Sequence, residues 1–157
     1  MNLLPLFIGL LVAIAYVLFW CGLMLATGRL SGWSVLGRRF RARQRFQGKC
    51  WYFQHAQFRW AINYSGALTV GANETGLYLS PWAIFRVGHP RLFIPWGEMN
   101  IEMKHSFWLG HFMELQFPEL PGIVIRFQER LARRIAETVG PKLSTPTTSE
   151  QPHVSAV

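Results

Sequence analysis

The sequence predicts an N-terminal transmembrane helix followed by a mainly-β domain, a seven-stranded antiparallel barrel or sandwich with a C-terminal capping helix. Three observations lead to this fold class. Residues 1–28 carry no charged side chain. Residues 49–127 alternate apolar and polar side chains in short runs separated by turn residues, and the stretch from 131 to 139 repeats apolar side chains every four residues.

Residues 1–28 form the predicted membrane anchor. As a helix rising 1.5 Å per residue, this run reaches roughly 40 Å, more than the ~30 Å hydrocarbon core of a bilayer. A cleavable signal peptide is the alternative interpretation, but it needs a positive first region and an apolar stretch of only about 7–15 residues. The first basic side chain here is Arg29, so we expect the anchor to be retained.

Basic residues follow the anchor at once and predict its orientation. Residues 29–49 contain seven Lys or Arg and no acid, whereas the chain after Lys49 has nine basic and eight acidic residues. Because Lys and Arg concentrate on the cytoplasmic side of a span, we expect a single-pass protein of the inner (plasma) membrane whose C-terminal domain is cytoplasmic.

Residues 29–48 are predicted to be a basic, amphipathic juxtamembrane segment. Trp33, Leu36 and Phe40 recur at three- and four-residue spacing and share one helical face. This face either sinks into the acyl boundary of the membrane or packs onto the following domain, and the spacing alone leaves both open. Near the surface each arginine attracts anionic lipid by about 1 kcal/mol. The side chains that we assign to the membrane surface are Trp33, Arg38, Arg39, Phe40, Arg41, Arg43 and Arg45.

The domain at residues 49–140 is predicted to begin with seven strands. Apolar residues at every second position indicate strands with one buried face, and turn residues such as Asn73 and Gly76 separate the runs. Short connections between them favour antiparallel pairing over βαβ units. The predicted strands occupy residues 50–58, 68–70, 77–79, 91–95, 99–103, 113–117 and 123–127.

One helix closes the domain. Leu131, Ile135 and Val139 recur every four residues, and Gly140 followed by Pro141 is a helix stop signal. The remaining residues, 141–157, are rich in Pro, Ser and Thr, which predicts a disordered tail.

Several short stretches resemble a known group of proteins. Residues 76–79 (Gly-Leu-Tyr-Leu), 88–90 (Gly-His-Pro) and 92–96 (Leu-Phe-Ile-Pro-Trp), followed by Glu98 and Met99, look like the strand–loop–strand signature of small bacterial membrane proteins. Those proteins carry pleckstrin-homology-like (PH-like) or GRAM-like cytoplasmic domains and are mostly uncharacterised. The resemblance covers residues 31 to 139 and implies a PH-like barrel with a capping helix.

No arrangement of residues indicates catalysis, a metal or a cofactor. The chain has no aspartate. Glu98 and Glu102, on one strand face, would stand about 13 Å apart. His105 and His111 are expected to converge across a hairpin, but no third ligand lies near them in sequence. We therefore expect a protein that is not an enzyme.

Two apolar loops are candidate docking sites, because connections between strands are usually polar. The first contains Trp82, Phe85 and Arg86, and the second contains Phe107 and Trp108. They either fill the mouth of the barrel or contact lipid or a partner.

The sequence thus favours a binding module that contacts the anionic headgroups of the bilayer. The alternative is a scaffold or assembly subunit that binds another membrane protein. Nucleic-acid contact through the basic junction is a remote alternative, since the junction lacks a recognisable nucleic-acid fold. The sequence does not indicate whether the chain forms homo-oligomers.

Overall fold

The computed structural model describes residues 3–59, 62–106 and 110–140. The predicted tail 141–157 and the candidate docking residues Phe107 and Trp108 lie outside them. The elements in chain order are α1 (Leu4–Leu30), α2 (Trp33–Arg39), β1 (Lys49–Phe58), β2 (Ile62–Ala72), β3 (Gly76–Pro81), β4 (Leu92–Pro95), β5 (Asn100–Ser106), β6 (Gly110–Gln116), β7 (Val124–Gln128) and α3 (Glu129–Val139).

Helix α1 is a single apolar rod of 27 residues. Pro5 lies in its first turn, where the missing N–H costs no hydrogen bond. Within the described residues it is the one helix long and apolar enough to cross a membrane. Its side chains are apolar on every face, and most are exposed, as expected of a helix surrounded by lipid.

The chain enters the domain directly after α1. Ser31 and Gly32 make the turn, and Gly32 has a φ of +80°, a backbone conformation that favours glycine. Helix α2 then buries Trp33 and Leu36 completely, while Phe40 is 8% exposed. Of the two interpretations of this apolar face, packing onto the domain is therefore the correct one. The assignment of Trp33 and Phe40 to the membrane surface is wrong, because both side chains lie in the hydrophobic core.

The seven predicted strands form one curled antiparallel sheet, a half-barrel. Its strand order is β4-β3-β2-β1-β7-β6-β5, so that β1 pairs with both β2 and β7. The predicted turn between β2 and β3 is confirmed: Asn73 Oδ1 accepts hydrogen bonds from the backbone N–H groups of Thr75 and Gly76, each at 3.0 Å. Such side-chain-to-backbone bonds are typical of Asx turns.

Strand β1 carries an irregularity that the sequence did not indicate. Its register against β2 shifts between Trp51 and Gln54, and Phe53 has a φ of +58°. As a result Tyr52 and Phe53 are both exposed instead of alternating.

Helix α3 packs against the sheet at β2, β6 and β7. Leu131, Ile135 and Val139 are buried as their spacing predicts, and Glu129 pairs with Arg133 one turn later. The core between sheet and helices also holds residues from β2, β3, β6 and β7, such as Leu68 and Leu115.

The burial of α2 gives a test by substitution. We expect Leu36→Ala to lower the free energy of unfolding by about 2–5 kcal/mol, because it opens a cavity in a packed core. Val35→Ala, on the exposed side of the same helix, is the control and should cost well under 1 kcal/mol. Urea unfolding of the full chain in neutral detergent, followed by tryptophan fluorescence, measures both. Equal effects of the two substitutions would show that α2 does not contribute to the core.

Candidate functional site

The arginine segment, residues 38–47, lies along the outer edge of β4. The backbone N–H of Ala42 donates to the carbonyl of Arg91, and the N–H of Phe93 donates to the carbonyl of Phe40, both at 2.8 Å. Arg41 and Leu92 thereby form an isolated antiparallel β-bridge. Beyond Ala42 the segment leaves the strand edge.

The far end of the arginine segment is held against the sheet by an aromatic contact. The ring of Phe46 stacks on that of Tyr78, with centroids 4.7 Å apart and planes 9° from parallel. A Cβ atom at Gly71 would lie 2.6 Å from the Phe46 ring, so glycine there makes room for it. Asn73 Nδ2 donates to the carbonyl of Gln47 at 3.0 Å. Fixed at both ends, the segment stands off the sheet between them.

The space between the arginine segment and the sheet is a groove of about 620 Å³. Aromatic rings from Phe46, Tyr78 and Phe93 line it, together with backbone and polar groups of the arginine segment and the β2–β3 turn. The structure brings four of the arginines predicted at the membrane surface to this groove: Arg39, Arg41, Arg43 and Arg45.

The charges of the groove are unbalanced. Arg39 is paired, donating to Glu98 at 3.1 Å and contacting Glu119. Within the described residues Arg41, Arg43 and Arg45 are exposed and make no ion pair. Guanidinium groups bind phosphate and carboxylate with paired hydrogen bonds. The groove can therefore hold an anion, while its described lining includes no histidine, cysteine or carboxylate for proton transfer or nucleophilic attack.

A second polar cluster lies where α1 meets the domain. Tyr64 and His89 are buried, with the Tyr64 hydroxyl 2.7 Å from His89 Nε2 and 3.1 Å from Ser31 Oγ. His89 Nδ1 lies 3.0 Å from the carbonyl of Val87, which can only accept, so Nδ1 carries the proton and Nε2 accepts from Tyr64. Burial lowers the pKa of His89 and raises that of Tyr64 to about 12. Both groups are therefore neutral near pH 7 and hold the β3–β4 loop onto the junction.

The last turns of α1 pack against the same loop. Gly28 is buried, and a Cβ atom added to it would lie 2.8 Å from the carbonyl oxygen of Gly88. Closer to the N-terminus of α1, the ring centroid of Trp20 lies 6.2 Å from that of Phe85. Arg59 donates to the carbonyl of Leu30 at 3.3 Å, satisfying the end of α1. The loop predicted for docking thus lies beside the apolar helix, with Trp82 and Arg86 exposed on it.

Glu114 is the buried carboxylate of the described residues. It lies on β6 between the core residues Met113 and Leu115, is 4% exposed, and accepts hydrogen bonds from Lys104 at 2.6 Å and Arg126 at 2.8 Å. Gln116 adds a third hydrogen bond. Desolvation acts to raise the pKa of Glu114, but these three hydrogen bonds outweigh it and lower the pKa to about 2. Because each partner neutralises or satisfies the carboxylate, this cluster stabilises the sheet.

The two histidines predicted to converge do meet. His105 pairs directly with His111 across β5 and β6, and their ring centroids are 4.6 Å apart. Over residues 3–59, 62–106 and 110–140, no group of three His, Cys, Asp or Glu residues has metal-binding geometry.

Several groove residues were not assigned to the site by the sequence. In the sequence nothing distinguishes Tyr78, Asn73 and Phe93 from other strand and turn residues. They line the groove only because distant parts of the chain pair with one another. The one local signal was Phe46, an aromatic side chain at the end of an arginine-rich stretch.

Comparison of the chain with protein-family models, with curated proteins and with solved structures finds no match.

The tight contact at Gly28 gives a test of the junction. We expect Gly28→Ala to destabilise the fold by about 1–3 kcal/mol, because the new methyl group overlaps the Gly88 carbonyl. Gly22→Ala is the matched control, since nothing lies within 4 Å of a Cβ atom there and alanine favours a helix. Thermal unfolding followed by near-UV circular dichroism compares them. The same melting temperature in both variants would mean that α1 does not contact the loop.

Glu114 gives a prediction for pH. Its pKa falls from 4.5 to about 2 on folding, so its contribution is present above about pH 4.5 and is lost as pH falls towards 2. The shift corresponds to about 3 kcal/mol. We expect the free energy of unfolding of the wild type to fall by most of that amount, about 2–3 kcal/mol, relative to Glu114→Gln between pH 6 and 2.5. Glu137→Gln, at an exposed position of α3, is the control and should follow the wild type. Parallel wild-type and Glu114→Gln curves would contradict the prediction.

Proposed function

We propose that this chain is a membrane-anchored, non-catalytic binding module whose arginine groove holds anionic lipid headgroups at the cytoplasmic face of the inner membrane. The observation that carries the proposal is the direct entry of α1 into the domain. Gly28 packs against Gly88, and Trp33 lies in the core only three residues after the helix ends. A domain joined in this way stays at the bilayer surface.

The contacts of α1 also favour an anchor that is retained. A signal peptide is removed from the mature chain, so it has no need to fit the folded domain. Here Gly28 is buried, and a Cβ atom added to Gly88 would lie 3.1 Å from the Leu25 side chain. Cleavage after the apolar run would remove these contacts.

The course of the groove brings charge close to the lipid. Arg41 bridges to Leu92, two residues after Pro90, whose carbonyl accepts from Trp33 Nε1 at 2.8 Å. The groove therefore begins beside the junction with α1 and runs along the β4 edge towards the Asn73 turn. The potential of an anionic membrane surface extends about 8–10 Å into solution, so arginines near the junction can attract headgroups without direct contact.

The strand order supports a PH-like domain. A seven-stranded antiparallel sheet in which β1 lies beside β7 and β4 and β5 are the two edges, followed by one helix packed against it, has the layout implied by the resemblance of residues 76–99. The arginine groove lies outside this sheet, at the β4 edge.

The groove arginines can be tested with matched double substitutions. Arg43→Gln with Arg45→Gln removes two charges from the groove, and Arg130→Gln with Arg134→Gln removes two exposed charges from α3. At about 1 kcal/mol per arginine, we expect the first pair to weaken binding of short-chain phosphatidylglycerol roughly 30-fold and the second pair to have little effect. Titration of the full chain in neutral detergent, read by native mass spectrometry, measures the binding.

Short-chain phosphatidylcholine and added salt provide the controls for charge. We expect phosphatidylcholine to bind weakly to all three proteins, and salt to weaken the phosphatidylglycerol complex of the wild type. Equal losses in both double variants, or none in either, would contradict the lipid proposal. The scaffold function would then be favoured.

A further inference from the structure

The β3–β4 loop presents an unusual amount of apolar surface. Trp82, Ile84 and Val87 are 39%, 60% and 37% exposed. Phe53 from β1 lies against Trp82 with ring centroids 4.7 Å apart and is itself exposed. Exposed apolar patches of this kind mark contact with protein or membrane. What distinguishes this patch is its neighbour, since Phe85 in the same loop contacts Trp20 of α1.

The height of Trp20 along α1 decides what surrounds the loop. Helix α1 is about 40 Å long and a hydrocarbon core about 30 Å thick, so about 10 Å is spare. If the spare length of about 10 Å extends out of the membrane on the side of the domain, Leu4 marks the far boundary of the hydrocarbon core. Trp20 is then about 24 Å from Leu4 and roughly 6 Å inside the boundary nearest the domain. If the spare length extends out on the opposite side, Trp20 lies about 15 Å inside the boundary nearest the domain. In either placement Phe85, with its ring 6.2 Å from that of Trp20, lies at or below the boundary.

Three backbone N–H groups of residues 82–87 are hydrogen-bonded within the protein. Residues Ala83–Phe85 form a 3₁₀ turn. The N–H of Phe85 donates to the carbonyl of Trp82, that of Arg86 to Ala83, and that of Trp82 to Ala67 of β2. Backbone groups in lipid must be satisfied internally, and these three N–H groups meet that requirement.

Trp82 and Arg86 are of the types found at the headgroup layer of a bilayer, and the side chains between them are apolar. Arg86 is the only ionisable residue from Trp82 to Val87, and it is exposed, so its long side chain can reach headgroups while its stem stays in the apolar layer. Trp82 has an apolar body with one polar N–H, which suits the interface. His89, which follows the loop, is buried and neutral and is turned to Tyr64.

We propose that residues 82–87 form a wedge inserted into the near leaflet beside α1, with Ile84 and Phe85 among acyl chains and Trp82 and Arg86 at headgroup level. The occupant of this apolar surface is lipid, because the surface is continuous with the helix that crosses the membrane. The inference rests on the proposed function only for that crossing, and not on the groove. It gives the domain a second membrane contact, which limits its rotation about the helix axis.

Spin labels on the full chain test the wedge. In a Cys21→Ala, Cys50→Ala background, single labels are attached at Ile84→Cys, at Val12→Cys in the middle of α1, and at Glu74→Cys in the exposed β2–β3 turn. The proteins are reconstituted in phosphatidylglycerol–phosphatidylcholine vesicles. Power saturation then measures access of oxygen, which concentrates in lipid, and of a water-soluble nickel chelate. All three native side chains are exposed, so labelling should leave the fold intact, as near-UV circular dichroism checks.

We expect the oxygen-to-nickel access ratio at position 84 to be several-fold higher than at 74 and to approach that at 12. Nickel access at 84 equal to that at 74 would overturn the wedge, because the loop would then face water. Low access of both reagents at 84 would also overturn it, because protein would then cover the loop. If position 12 itself is open to nickel, the membrane crossing and with it the proposed function fail. A lipid-facing label at 12 with a water-facing label at 84 rejects the wedge alone.

Discussion

The position of Trp33 is the constraint on which the rest of the structure depends. Its ring contacts Phe58, Tyr64 and His89, with centroids 4.9, 5.5 and 5.5 Å away, and its Nε1 donates to Pro90. One side chain thus joins the start of α2, the β1–β2 strands and the β3–β4 loop. Because only two residues separate it from α1, the helix and the sheet cannot reorient independently. The position of every domain surface relative to α1 follows from this contact.

The two surfaces that we propose contact the membrane meet at the β3–β4 loop. On one side the loop carries the apolar residues next to Trp20, and on the other Arg91 and Leu92 pair with the arginine segment. The buried hydrogen bond between Tyr64 and His89 fixes the loop between them. Apolar contact depends little on salt, whereas arginine attraction is screened by it. Both interactions together would hold the domain over a wider range of conditions than either one.

The regular elements were predictable from the sequence because their side-chain periods are local. All seven strands and the helix at Leu131–Val139 appear where alternation and four-residue spacing indicate them. The environment of the face formed by Trp33 and Phe40 was not predictable, since lipid and a protein core select the same apolar residues. The groove depends on the contact between Phe46 and Tyr78, which are 32 positions apart in the sequence. From the sequence Glu114 is an outward-facing polar residue of a strand, whereas in the structure Lys104 and Arg126 pair with it. Contacts of this kind follow from pairing of distant strands.

The hydrogen bonds from Ala42 to Arg91 and from Phe93 to Phe40 have a consequence for neighbouring copies of the chain. An uncovered strand edge is a template for pairing with another molecule. Proteins confined to the plane of a bilayer meet each other at high local density and in one common orientation, which favours such pairing. By occupying the border of the sheet at β4, the stretch around Arg41 removes that template, and its positive charge repels the same stretch on an adjacent copy. The segment that we propose attracts lipid thereby also blocks strand pairing between copies at the β4 edge of the sheet.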